Sequence, residues 1–277
     1  MKVLLGILII LFAGRDAHAA QNTAGSCPFD SVEFHKCALA RAKTFNPPRT
    51  SDGTPDLQGY WTSRHNGAVW DIEPRKGEGS LAPATTGVIV DTPGRRIPYQ
   101  PAALAKRNEL RTKPFNDPKG HCAPSPPPRN SFTNYGLKII QPAGHVLILY
   151  EQMHDYRVIP TNPRRPLPAS IKLWRPESDG HWEGNTLVVE NTNGNGKDWF
   201  DISGNFQTEA TRVVERYTMI DHETIHFEAR IEDPTIYTRP WTIALALIRN
   251  KEEGYYQLEF ACHEGERDMQ HYTEDLK

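Results

Sequence analysis

The stretch Thr224–Glu232 alternates residue by residue. Ile225, Phe227, Ala229 and Ile231 fall on one side, and Thr224, His226, Glu228, Arg230 and Glu232 on the other. A period of two belongs to a β-strand with one buried face. The surrounding residues 182–263 read as five strands in succession, with turn signals between them and little room for a helix. Successive strands of this kind bury their apolar faces by closing into a barrel or stacking into a sandwich, and such shells often enclose a small ligand. The expected fold class is all-β, with the strands forming a closed antiparallel barrel.

Upstream, residues 137–141 and 145–151 form two apolar strands joined by Pro142-Ala143-Gly144, a hairpin-like connection. Residues 156–160 make another strand, 181–192 a single long one, then 211–219, 224–232, 241–249 and a last strand at 255–263. The first strand opens at Asp56-Leu57-Gln58-Gly59-Tyr60-Trp61. Two segments carry helical signals: 31–43, where Val32, Phe34, Leu39 and Ala42 recur at helical spacing, and 101–111, rich in Ala, Leu, Lys and Glu. The chain holds 23 prolines, many of them before Ser170. Residues 121–129 (HCAPSPPPR) cannot be regular structure, because proline fixes φ and lacks an amide proton. The proline-rich segment 114–130 therefore either wraps the sheet or plugs a barrel mouth. Residues 20–54 form an N-terminal arm, and 55–277 a single barrel domain.

Residues 1–19 read as a secretory signal. Lys2 supplies the charge, residues 3–13 an apolar run, and Ala17-His18-Ala19 a small-x-small cleavage pattern. The apolar run is shorter than the ~20 residues a bilayer requires, and no other run is long enough, so no integral membrane segment is expected after processing. A periplasmic or secreted location follows. Formal net charge is −2 with a pI near 6.6, which gives no sign of a nucleic-acid partner. Four cysteines in an exported chain favour disulfides. They allow three pairings. Closeness in sequence favours Cys27–Cys37, which leaves Cys122–Cys262.

The segments PDLQGYW (55–61), CAPSPPPR (122–129), ILYE (148–151), HWEGNTLVVENTN (181–193), EDPTIYTRPW (232–241) and ACHEG (261–265) together resemble a large, mostly uncharacterised family of exported bacterial proteins. Its members share PDLxGxW, CxPxGxPR, WEGDTLVV and CHEGN motifs. The resemblance spans most of residues 55–265 and implies export and a lipocalin-like β-barrel. Gly59-Tyr60-Trp61 also matches the glycine-x-tryptophan strand that opens lipocalins. The chain departs from the family pattern at Asn185, where Asp is usual, at Gly194, where Phe is usual, and at Glu266, where Asn is usual.

Candidate chemistry lies at the strand ends. His263 with Glu264 offers an acid/base pair at a barrel rim, or else a surface imidazole beside a turn carboxylate. Glu151, His154 and Arg157 follow an apolar strand. Glu151 is an alternative partner for His263, and Arg157 either binds an anionic group in its fork geometry or pairs with Asp155. Glu215 sits on a strand whose apolar face is Val213, Tyr217 and Met219. It is either a desolvated acid/base carboxylate or the partner of an arginine on a neighbouring strand. Arg129 either presents a rigid cation or caps backbone carbonyls. Trp182 and Tyr237 belong to an aromatic stock that is mostly core but has members to spare for a pocket.

Zinc at His121, Cys122, Cys262 and His263 is disfavoured, because strand neighbours point to opposite faces and oxidation favours a bridge. No HExxH, P-loop, GxSxG or dinucleotide glycine fingerprint occurs, and no metal or cofactor is expected. The reading is an exported barrel binding a partly apolar or aromatic, possibly anionic small molecule. The alternative is a cofactor-free acid/base isomerase, lyase, cyclase or hydrolase.

Overall fold

A computed structural model of the protein describes residues 27–77, 84–260 and 262. The segment read as a signal, together with His263 and Glu264, lies outside the described residues.

The described chain folds as a nine-stranded antiparallel sheet that nearly closes into a barrel. The strands are β1 (Gly59–Ser63), β2 (Leu137–Ile140), β3 (His145–Tyr150), β4 (Tyr156–Pro160), β5 (Glu177–Glu183), β6 (Thr186–Thr192), β7 (Arg212–Asp221), β8 (Thr224–Glu232) and β9 (Trp241–Arg249). β1–β4 form one meander and β5–β9 another, and the β1–β9 pair joins them. This is the expected all-β, lipocalin-like barrel.

An odd number of strands cannot alternate direction all the way round, so one neighbouring pair must run parallel. That pair is β4 and β5, and parallel neighbours need a crossover connection. Residues 161–176, with four prolines, run the length of the barrel to provide it. No backbone ladder joins the two strands. Side chains close the seam instead: Arg157 on β4 donates to Ser178 on β5 at 3.2 Å. Gly180 lets the strands approach, since a Cβ there would sit 2.7 Å from Ile159 Cγ2.

The alternating strand β8 turns Ile225, Phe227, Ala229 and Ile231 inward, all fully buried. With Trp61, Ile139, Ile148, Tyr217, Trp241 and Leu245 they fill the barrel. β3 buries Val146, Ile148 and Tyr150 and leaves Leu147 and Leu149 half-buried.

Two strand expectations change. Residues 181–192 form the hairpin β5–β6, not one strand. Gly184, at φ +59°, opens a two-residue Gly-Asn turn between the paired Glu183 and Thr186. Residues 255–260 form no strand, and Tyr256 and Leu258 are 70% and 52% exposed. β9 is already flanked by β1 and β8, so the segment after it cannot pair back onto β9. It passes Tyr60 and reaches the rim beside Glu151, where Phe260 bridges to Gln152.

Both expected helices form. α1 (Ser31–Ala42) starts at Asp30, whose carboxylate accepts from the amides of Val32 and Glu33. Its Phe34 and Ala38 pack on the outer wall against Ile220 and Ala246. α2 (Pro101–Arg111) begins on a proline, which suits a first helical turn. The bonds Cys27–Cys37 and Cys122–Cys262 are both present, each with Cα atoms 5.7 Å apart. No helix among the described residues is long and apolar enough to cross a membrane.

Candidate functional site

The long β1–β2 and β6–β7 connections pack over one end of the barrel. Phe132, Phe200 and Trp199 lie buried there, with Phe200 edge-on to Trp241 at 5.6 Å. The proline-rich segment therefore caps an end of the barrel.

Two short 3-10 turns, Pro114–Asn116 and Pro118–His121, shape the cap. Asp117 sits between them. Its Oδ1 accepts from the Lys119 amide at 3.1 Å, which caps the second turn. The same carboxylate takes a two-pronged contact from Arg129, at 2.8 and 2.5 Å. Arg129 also donates to the Trp199 carbonyl at 3.1 Å. Asp198 lies 3.8 Å from the same guanidinium, and neither of its oxygens has a hydrogen-bond partner. Lys119 completes the cluster; its Nζ is buried and unpartnered.

Burial acts on these groups against their charges. Burial, reinforced by Arg129, lowers the Lys119 ammonium to about 7. Burial raises the Asp198 carboxyl to about 7; Arg129 opposes this and Asp117 adds to it. Arg129 stays protonated, because Asp117 and Asp198 outweigh its desolvation.

A cleft of about 470 Å³ opens above this cluster. Its apolar walls are Val69, Trp70, Phe115, Tyr135, Ile202 and Phe260, and Asp117, Lys119 and Arg129 reach its surface. The Gln152-Met153 turn forms another side. Met153 and His154 follow each other at φ +66° and +48°, a conformation that non-glycine residues adopt at a cost. Cys122–Cys262 borders the cleft and ties its floor to the tail. This bridge uses both thiols, so a Cys/His zinc site there is not formed.

The sequence candidates divide between places. Arg129 lines the cleft. Glu151 stands next to it and is buried, accepting from the amides of Gly136 (2.7 Å) and Leu258 (3.1 Å) and from the Tyr255 hydroxyl. It pins the tail at the rim. His154 is exposed, 3.3 Å from Glu259. Arg157 and Glu215 meet inside the barrel, at 2.7 and 3.3 Å. Asn191, Ser178, Tyr150 and Tyr217 add further hydrogen bonds, and Arg157 Nε is left without one. Arg157 pairs with Glu215, not Asp155; Asp155 pairs with Arg175 at 2.5 Å. Trp182 packs against the core from β5, and Tyr237 is buried, donating to the Phe206 carbonyl at 3.2 Å.

Asp117, Lys119 and Asp198 were not among the sequence candidates. The one signal for Lys119 is its place in Asp117-Pro118-Lys119-Gly120, a turn that fixes the lysine's backbone; Asp198 carries none. Comparison of the chain with protein-family models and with curated proteins returns no match.

Proposed function

We propose that the protein is an exported barrel that binds a small aromatic, anionic molecule in the cleft at its capped end. The observation that carries this reading is the cleft itself. Aromatic walls stand over a buried lysine whose ammonium has no partner. Ligand sites of this kind combine apolar walls with a few placed polar groups. A carboxylate or sulfonate reaching Lys119 would supply the missing acceptor and draw the ammonium back to its charged form. Two disulfides fit an oxidising compartment, and the motif resemblance to exported bacterial proteins supports the same location.

The test uses 1-anilinonaphthalene-8-sulfonate as probe, with the probe's own fluorescence and native mass spectrometry as readouts. Saturable one-to-one binding that is weakened in Phe115→Ala is expected. Absence of saturable binding by both readouts would overturn the reading.

One observation favours a second reading, the cofactor-free acid/base enzyme. Lys119 and Asp198 both titrate near neutral pH, the range in which proton transfer is most effective. In that role Lys119, whose side chain borders the cleft, would be the base.

A further inference from the structure

The outer wall of the barrel carries a separate cluster. His226 and Glu228 are two residues apart on β8, so both project away from the interior that Ile225, Phe227 and Ala229 fill. α1 crosses this wall and brings down His35. His35 Nδ1 lies 3.0 Å from His226 Nε2 and 3.9 Å from Glu228 Oε2. The three ligand atoms all lie within 4.8 Å of one another.

The two shorter edges suit one ion, and a small rotation of the partly exposed Glu228 carboxylate would bring the third, within 4.8 Å, into range. Two donors ~2.1 Å from a tetrahedral centre are ~3.4 Å apart, a value between the two shorter edges of the triangle. The partners are otherwise idle. Glu228 has no hydrogen bond among the described residues, and Arg216, its cross-strand neighbour on β7, turns instead to Glu183 at 2.7 Å. The two imidazoles meet nitrogen to nitrogen, where a single proton can serve only one of them as donor and a cation can take a lone pair from both.

The frame is firm. Cys27–Cys37 anchors the helix, and Phe34 packs edge-on to His226 at 5.6 Å. His226 is buried, while the His35 and Glu228 side chains are each 21% exposed, so the open side of the triangle faces solvent. Asp91 adds negative charge nearby, and Arg216 is the opposing cation.

We propose that His35, His226 and Glu228 form a binding site for a divalent transition-metal ion of the zinc class, with a fourth position open to water. Two imidazoles and one carboxylate are a donor set that zinc takes where it keeps a free position. An ion held there would bolt α1 to the barrel wall, independently of the cleft.

The test is titration of the chelator-treated full chain with cobalt(II), read by visible absorption, followed by displacement with zinc(II). One equivalent of cobalt, with a tetrahedral-type spectrum lost on adding zinc, is expected. His35→Ala and Glu228→Gln should each weaken binding by about tenfold or more. Zinc should raise the melting temperature of the wild type and not of either variant. Both substitutions are at partly exposed side chains; should His35→Ala fail to fold, Glu228→Gln carries the comparison. No cobalt spectrum in the wild type, or unchanged affinity in the folded variants, would overturn the proposal.

Discussion

Two buried charge clusters sit a few residues apart in the fold and differ in completeness. Inside the barrel, Glu215 receives Arg157, Asn191 and Tyr217 between its two oxygens. Under the cleft, Arg129 is matched by Asp117, but Asp198 and Lys119 are left without hydrogen bonds. In the first cluster both carboxylate oxygens are matched and, of its charged groups, only Arg157 Nε lacks a partner; the cluster spans strands from both meanders, so its work is structural. The second is unfinished, and an incomplete buried polar group is costly unless something outside the chain completes it. The contrast separates a network that holds the barrel from one whose Asp198 and Lys119 lack partners within the chain.

The sharpest way to break this contrast is at Arg157. Arg157→Met leaves Glu215 buried without its cation and should cost about 3–5 kcal/mol in urea unfolding. Adding Glu215→Leu should recover much of that loss, because the uncompensated charge is then gone. A cost under 1 kcal/mol for the single variant would void the structural assignment.

Asp198 gives the next effect, and its sign follows from titration. Its folded carboxyl, raised to about 7 from an ordinary 3.8, keeps a proton that the unfolded chain has released. Wild-type stability from this group therefore falls as pH rises from about 4 to about 7. Asp198→Asn escapes that fall and should gain progressively on the wild type between about pH 4 and pH 7, read by urea midpoints converted to free energy. A gain independent of pH would break the comparison.

The smallest effect on stability should come from Lys119→Met. Replacing a buried, unpartnered amine by an apolar chain of similar shape should change stability by less than about 1 kcal/mol. The same variant should lose most affinity for the naphthalene sulfonate, read by fluorescence titration. A lysine as costly to remove as Arg157 would place both clusters in the same structural role.

Much of the barrel was legible because its strands obey a simple parity. β8 reads inside and outside without error, and the cysteine count led to both bridges. β4 shows why parity is insufficient. Its apolar Tyr156 and Val158 are 54% and 48% exposed, while Arg157 points inward. The sequence periodicity alone favours the opposite orientation, and the reason for the reversal, Glu215, lies on β7, which is not β4's neighbour in the sheet. The final strand, over its described residues 255–260, failed for a reason no local pattern contains: the β1–β9 pairing leaves no place beside β9. The cleft was the least legible part. Its residues come from segments without periodicity, brought together by turns at Asp117 and Met153 and by the Cys122–Cys262 bridge.

That bridge spans 140 positions of sequence and encloses β2 through β9. The barrel is thereby a covalent ring with two free ends, not an open thread. One backbone break within the ring, in the exposed crossover 161–176 for instance, would yield two polypeptides still joined through sulfur until a reductant arrived.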